Sequence, residues 1–183
     1  MNLPNSITLS RLLGIPFIIY FLHDPTSSDP QDLATRARYF ALAIFLVTAA
    51  TDWLDGYLAR KLNQVTELGK FLDPLVDKLL VIAPLLALVE LNQIPAWGVF
   101  LIIGREIAIA GWRVNPQLSN SNQISGASIW GKLKTVTQIG AIALLIAPLP
   151  IFWSNLAIVV FWLAVALTLI SGLLYLQDFH LAK

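Results

Sequence analysis

Six long apolar stretches dominate this chain and limit the folds that it can adopt. About 20 mostly apolar residues cross a bilayer as a helix, and stretches of roughly this length recur throughout the 183 residues. With 57% hydrophobic and 13% charged residues, the chain has more apolar surface than one water-soluble core can bury. The sequence therefore predicts an all-α polytopic membrane protein, one domain over residues 1–183, with six transmembrane spans near 7–22, 39–60, 71–91, 95–114, 133–153 and 155–175.

Basic residues near the span ends predict the orientation, because they favour the cytoplasmic side. Segment 23–38 is rich in Pro, Ser and Asp and is typical of a loop, while Pro95 and Pro148–Pro150 mark short turns. One set of connections and ends holds most of the cations: Arg60, Lys61, Lys70, Arg113, Lys132, Lys134 and Lys183. The other set holds mainly Arg36 and Arg38. We therefore expect both termini to face the cytoplasm, and we interpret the first apolar stretch as a retained span rather than a signal peptide.

Four aspartates interrupt the apolar pattern between positions 52 and 77. Asp52 and Asp55 are three residues apart, so on a helix they share one face. Asp73 and Asp77 are four apart and also share a face. Because the pairs lie at the end of one span and the start of the next, antiparallel neighbouring helices would bring the four carboxylates together. Intramembrane charges need partners, and oxygen donors suit Mg²⁺ or Mn²⁺, so the pattern predicts a divalent-metal site with room for two ions.

Small residues and an arginine accompany the aspartates. Gly56, Ala59 and Gly69 allow the close approach of a helix or a bulky ligand, and Arg60 has a planar fork suited to phosphate. The chain has no cysteine, which excludes a thiolate nucleophile, a Cys-based zinc site and disulfides. Its net charge is +1 and its Lys and Arg are scattered, a distribution that does not favour a nucleic-acid partner. The chemistry is expected to rest on oxygen ligands.

Each of these features also has a structural explanation. Asp73 before Pro74 is a common helix start, with aspartate as the N-cap and proline as the first helical residue. Asp77 could pair with the adjacent Lys78 or with a distant arginine, and Arg60 could be a topological anchor. One ordered pattern of four aspartates, two glycines, an alanine and an arginine favours the functional explanation.

The segment from Asp52 to Asp77 resembles the complete signature of the CDP-alcohol phosphatidyltransferases, DxxDGxxAR followed after eight residues by GxxxDxxxD, and it fits at every position. The resemblance implies that two divalent metals are held over the pyrophosphate of a CDP-linked lipid by Asp52, Asp55, Asp73 and Asp77. It also implies that Asp77 is the catalytic base. The residues implied to line the CDP-lipid site are Gly56, Ala59, Arg60, Gly69 and Thr66, with Asn5, Thr8 and Arg11 from the first span. Asn5 and Thr8 could equally cap that span.

Three further stretches indicate the acceptor. NLPNSITLSRLLGIPF, GREIAIAGWR and WGKLKTVTQ resemble the bacterial phosphatidylglycerophosphate synthases within that family. This resemblance implies CDP-diacylglycerol and sn-glycerol 3-phosphate as substrates, a homodimer, and a bacterial-type inner membrane with the active site facing the cytoplasm. The cations available for the acceptor phosphate are Arg105, Arg113, Lys132 and Lys134. Alternatively, Arg105 forms a buried ion pair with Glu106, and the two lysines only set the topology.

Other functions remain open from the sequence. The same chemistry could serve inositol phosphate, serine or phosphatidylglycerol as the acceptor. Paired intramembrane carboxylates also mark ion pathways, so a cation transporter is a candidate from another class. A transporter predicts metal-dependent flux without CMP release, and a structural scaffold predicts tolerance of Asp77→Asn.

Overall fold

The computed structural model describes residues 3–23, 30–62, 67–114 and 129–181, with side chains at 8–23, 34–51, 72–111, 129–175 and 177. These residues form six helices, α1 Leu3–His23, α2 Pro30–Leu62, α3 Glu67–Glu90, α4 Ala96–Val114, α5 Ile129–Ile146 and α6 Ile151–Leu181. No strand occurs within the described ranges. The predicted all-α class is therefore confirmed.

Several helix ends differ from the spans predicted by hydropathy. Helix α2 begins at Pro30, inside the segment that we expected to be a loop, and residues 24–29 of that segment lie outside the described ranges. Its first turns are polar but contain Ala and Arg, which are good helix formers, after a proline suited to the first helical position. Helix α5 ends at Ile146, short of the predicted residue 153, because Pro148 and Pro150 follow. Pro95 precedes α4 as predicted.

The first three helices alternate in direction. Gly14 of α1 lies beside Thr48 of α2, and the ring of Phe21 lies 5.7 Å from that of Phe40, so α1 and α2 are antiparallel. Helices α1 and α3 run parallel, since their first halves are joined by a hydrogen bond from Thr8 and their last residues by an ion pair. We call the end where α1 and α3 begin the aspartate end, and the end where they finish the distal end.

The last three helices continue the alternation. Helix α4 starts just after α3 finishes and therefore runs back toward the aspartate end. Its Arg105 lies against Gly172 of α6, so α4 and α6 are parallel. Gln138 of α5 donates a 3.0 Å hydrogen bond to Thr168 of α6, across an antiparallel pair. The second halves of α4 and α6 and the first half of α5 thus lie toward the aspartate end.

Large apolar side chains fill the centre of the bundle and also cover its outside. The fully buried set includes Ile18, Phe45, Leu85, Ile102, Ile142 and Phe161, from all six helices. Each helix also exposes large apolar side chains, among them Phe17, Val47, Leu86, Phe100, Val136 and Val159. Such extensive exposed apolar surface is unusual in soluble monomers. Within the described residues, two segments are long and apolar enough to cross a membrane, Ile129–Ile146 and Ile151–Tyr175.

A glycine sets the separation of α4 and α6. A Cβ built on Gly98 would lie 2.9 Å from the ring of Phe161, which is fully buried. We expect Gly98→Ala to destabilise the protein by about 1–3 kcal/mol, because the buried ring of Phe161 must shift to admit the methyl group. Gly104→Ala on the same helix is the matched control, since its Cβ would meet nothing within 4 Å and alanine favours a helix. Thermal unfolding in detergent compares them, and equal stability of the two variants would contradict this packing.

Candidate active site at the aspartate end

Asp73 and Asp77 lie in the first half of α3, one turn apart, on the side that packs against α1. The hydroxyl of Thr8 donates a 2.7 Å hydrogen bond to Oδ1 of Asp73. Three residues further along α1, the guanidinium of Arg11 donates to Oδ1 of Asp77 at 2.8 Å and forms an ion pair with it. Because α1 and α3 are parallel, the Thr8 and Arg11 spacing on one helix matches the aspartate spacing on the other. The two carboxylates are therefore held by a neighbouring helix as well as by their own.

The two donors on α1 are buried, whereas the carboxylate of Asp77 is partly exposed. Thr8 and Arg11 are each only 2% exposed, whereas the side chain of Asp77 is 44% exposed. The donors are thus fixed inside the bundle, and the carboxylate of Asp77 is anchored from behind while remaining accessible to a ligand. An ion pair with one buried partner fixes orientation more than a surface pair does, since burial restricts the rotamers of the arginine.

This arrangement tests the structural explanations that the sequence offered for Asp73 and Asp77. Helix α3 begins at Glu67, so Asp73 and Pro74 lie inside the helix, and the explanation of Asp73 as an N-cap is wrong. Asp77 pairs with the distant Arg11, one of the two partners considered from the sequence. Thr8 lies in the second turn of α1 and bonds to α3, so it does not cap α1.

The other two aspartates lie on α2, which finishes at the aspartate end. Asp52 is one turn beyond Thr48, and Thr48 lies level with Gly14. At about 1.5 Å per residue, the backbone at Asp52 reaches the depth of Arg11. The predicted convergence of four carboxylates is consistent with this register, but the side chains on the last turns of α2 lie outside the described set. The structure describes only the backbone at Asn5, Asp55, Gly56, Ala59, Arg60 and Gly69. Thr66 lies outside the described residues.

The donor chemistry fits a divalent cation. Among the described residues there is no group of three or more His, Cys, Asp or Glu side chains placed to hold a metal. The described part of the site nevertheless contributes two carboxylates from one helix face, and that of Asp77 is partly exposed. Carboxylate oxygens are the ligands that Mg²⁺ and Mn²⁺ prefer. The backbone of α2 at Asp52 lies at a similar depth.

A second polar cluster lies where α4, α5 and α6 meet toward the aspartate end. The carboxylate of Glu106 accepts a hydrogen bond from Lys134 and another, at 3.3 Å, from Arg105. Arg105 also donates to the hydroxyl of Ser171 at 2.6 Å. All four side chains are largely buried, with 7–16% exposed. Among the described side chains, two cations therefore share one carboxylate in this cluster.

The four residues proposed to bind the acceptor phosphate lie in different environments. Arg105 forms the ion pair with Glu106 that we considered from the sequence, and Lys134 shares the same carboxylate. Lys132 is exposed at the start of α5. Arg113 lies in the last turn of α4, and its side chain is outside the described set.

Sequence reasoning missed three partners at this end. A distant arginine was considered for Asp77 without identifying Arg11, and the pairing of Thr8 with Asp73 was not anticipated, although the spacing in TLSR places Thr8 and Arg11 on one face of α1. Ser171 gave no signal, since a lone serine in an apolar helix is common.

Comparison with known proteins shows what the whole chain is similar to. A family model described as CDP-alcohol phosphatidyltransferase matches residues 1–170. A Bacillus subtilis protein named CDP-diacylglycerol–glycerol-3-phosphate 3-phosphatidyltransferase is 42% identical over 178 residues, which cover 93% of this chain and 91% of that protein. Proteins of the same name from Haemophilus influenzae and Escherichia coli are 36% and 37% identical, over 96% of this chain and 92% and 93% of theirs.

Proposed function

The chain belongs to the CDP-alcohol phosphatidyltransferase family, and on that premise we propose that it transfers the phosphatidyl group of CDP-diacylglycerol to sn-glycerol 3-phosphate. The products are phosphatidylglycerol phosphate and CMP. The names of the relatives supply both substrates. The observation in the structure that carries the proposal is the accessible carboxylate of Asp77, held in place by the buried Arg11.

The proposed reaction is a displacement at phosphorus. The carboxylate of Asp77 accepts the proton of an acceptor hydroxyl, and the hydroxyl oxygen bonds to the phosphorus on the lipid side of the pyrophosphate. The bond from this phosphorus to the bridging oxygen breaks, and CMP leaves with that oxygen. Arg11 keeps the carboxylate directed at the site throughout, and Thr8 does the same for Asp73.

A divalent metal completes the proposed site, as members of the family use one. We propose two ions, Mg²⁺ or Mn²⁺, held by Asp52, Asp55, Asp73 and Asp77. When bound, the ions neutralise the charge of the pyrophosphate and so make CMP a better leaving group. The four carboxylates supply oxygen donors suited to these cations.

Binding of the two substrates is assigned to different parts of the aspartate end. The CDP-lipid is proposed to contact Gly56, Ala59, Arg60, Thr66 and Gly69, with Asn5 and Thr8 from α1. The acceptor phosphate is proposed to contact Arg105, Arg113, Lys132 and Lys134. The two cations that share Glu106, and the exposed Lys132, support this second assignment.

The proposed setting is a bilayer crossed by all six helices, with both termini and the aspartate end in the cytoplasm. Exposed apolar side chains on every helix support six spans, and the clustering of Lys and Arg in one set of connections supports the orientation. The membrane is proposed to be a bacterial-type inner membrane, and the protein a homodimer with one site in each protomer.

CMP release from the purified chain tests this function. The assay uses CDP-diacylglycerol and Mg²⁺ in detergent with glycerol 3-phosphate, inositol phosphate, serine or phosphatidylglycerol as acceptor, and parallel reactions contain EDTA. We expect release with glycerol 3-phosphate alone, and none with EDTA. Release with another acceptor would preserve the chemistry but overturn the acceptor. Folded protein that releases CMP with none of them would favour the cation transporter.

A further inference from the structure

A cavity lies at the distal end of the bundle, away from the aspartates, with Arg38, Gln93 and Ser154 in a wall that is otherwise apolar among the described residues. Its volume is about 260 Å³, and its wall is formed by α2, α5, α6 and the connections that precede α4 and α6. Ligand pockets for whole small molecules have volumes of roughly 300–1,000 Å³. This cavity is therefore suited to a small polar group rather than to an entire cofactor.

Arg38 supplies the charge of this cavity. It lies in the third turn of α2, before the predicted apolar span, and its side chain is half-buried in the cavity wall. No carboxylate lies within ion-pair distance of Arg38 among the side chains that the structure describes. Burial lowers the pKa of the Arg38 guanidinium, because removal from water disfavours its charged form. A bound anion would offset that cost.

A neutral side chain orients the guanidinium. With its amide assigned by hydrogen bonding, Gln93 accepts from Arg38 through its oxygen and donates to the carbonyl of Leu145 through its nitrogen at 3.1 Å. Gln93 therefore fixes the direction of Arg38 without cancelling its charge. Ser154, on the first turn of α6, adds a hydroxyl to the wall.

The depth of the cavity indicates the kind of anion. Trp97 and Trp153, in the first turns of α4 and α6, are both substantially exposed at this end. Exposed tryptophans mark the level of lipid head groups in membrane proteins. An arginine fork binds phosphate oxygens in pairs, and phosphate is the anion of the head-group layer. A positively charged cavity at this depth therefore fits a phosphate group.

We propose that the distal cavity is a second anion-binding site, which takes a phosphate group through Arg38, with Ser154 beside it and Gln93 fixing the guanidinium. An anionic lipid and free phosphate both supply this group, with the same chemistry at Arg38, and the experiment below distinguishes them. The site is separate from the proposed catalytic centre, so it stands or falls independently of the transferase reaction.

Anion binding to the full-length chain in neutral detergent tests this site. Thermal unfolding is followed against three probes: inorganic phosphate, dihexanoyl phosphatidylglycerol and, as the zwitterionic control, dihexanoyl phosphatidylcholine. We expect a saturable rise in Tm with at least one anionic probe and none with phosphatidylcholine. Saturation by inorganic phosphate would identify free phosphate as sufficient, and a response to phosphatidylglycerol alone would identify the lipid.

Matched variants assign the response to the cavity. Arg38→Gln should weaken binding at least about tenfold, since a charged hydrogen-bond partner is lost. Arg36→Gln removes an exposed arginine two residues away on the same helix, and we expect binding within about twofold of the unmodified chain. Lys132→Gln alters only the proposed acceptor site and should leave this response intact. CMP release by Arg38→Gln, measured without added anion, should be unchanged.

Three results would overturn the site: no response to either anionic probe, an unchanged response in Arg38→Gln, or a response that disappears only in Lys132→Gln. The last would place the anion at the aspartate end. If Arg38→Gln cannot be purified as folded protein, Arg38→Lys provides the test. It keeps the charge but loses the forked hydrogen bonds, so several-fold weaker binding is expected. Unweakened binding in Arg38→Lys would then contradict the proposed role of the guanidinium.

Discussion

Asp77→Asn is expected to lower CMP release by about a thousandfold or more. The amide cannot accept a proton from the acceptor hydroxyl, and it is a poorer ligand for a divalent cation than a carboxylate is. The substitution preserves the size of the side chain, so the site keeps its shape. The measurement is the initial rate of CMP release with CDP-diacylglycerol, glycerol 3-phosphate and Mg²⁺, normalised to folded protein.

Glu90→Gln is the matched control for this loss. Glu90 lies on the same helix at the distal end, is 72% exposed and pairs with His23, so its carboxylate is far from the proposed chemistry. We expect its rate to stay within about twofold of the unmodified chain. Because Asp77→Asn also leaves Arg11 without its carboxylate partner, a modest loss of stability is expected as well. A folded Asp77→Asn variant with a near-normal rate would contradict the role of Asp77 as base.

Glu106→Ala is expected to destabilise the protein by roughly 3–5 kcal/mol, the usual cost of removing one partner from a buried ion pair. Arg105 and Lys134 both donate to this carboxylate, and both are largely buried, so the variant leaves two cations without it. Equilibrium unfolding in mixed micelles, followed by tryptophan fluorescence, measures the change. Glu90→Ala, at the exposed carboxylate of α3, should change stability by less than about 1 kcal/mol.

A double variant separates lost pairing from lost packing. Glu106→Met with Lys134→Met removes the carboxylate and one of its cations together, and replaces them with apolar side chains. We expect it to be more stable than Glu106→Ala, because one buried cation, instead of two, loses the Glu106 carboxylate. Its CMP release should be low, because Lys134 is proposed to bind the acceptor phosphate. A double variant no more stable than Glu106→Ala would show that shape, and not charge, governs this junction.

The parts of the site that are local in sequence could be predicted, and those that depend on helix packing could not. Asp73 and Asp77 are one helical turn apart, so their shared face follows from spacing alone. The partner of Asp77, however, lies 66 positions away on α1, and that of Arg105 lies 66 positions away on α6. No local pattern encodes which face of α1 meets α3. The contacts follow from the packing of the whole bundle.

The helix ends, like the site, could be predicted only in part from the sequence. Apolar runs predicted six helices in the correct order, because the hydrophobic stretches are long and distinct. Hydropathy missed the polar first turns of α2, since a helix continues beyond its apolar part where good helix formers allow it. It also extended α5 past Ile146, although the prolines that follow were recognised as a turn. Backbone chemistry, rather than hydropathy, sets these ends.

The most direct test of the proposed reaction is the ratio of its two products. Purified chain is supplied with CDP-diacylglycerol, Mg²⁺ and isotopically labelled glycerol 3-phosphate, and mass spectrometry then quantifies CMP and the labelled lipid. We expect one phosphatidylglycerol phosphate for each CMP released, with no CMP when glycerol 3-phosphate is omitted. CMP accompanied by phosphatidic acid and no labelled lipid would mean that water is the acceptor, and would contradict transfer to glycerol 3-phosphate.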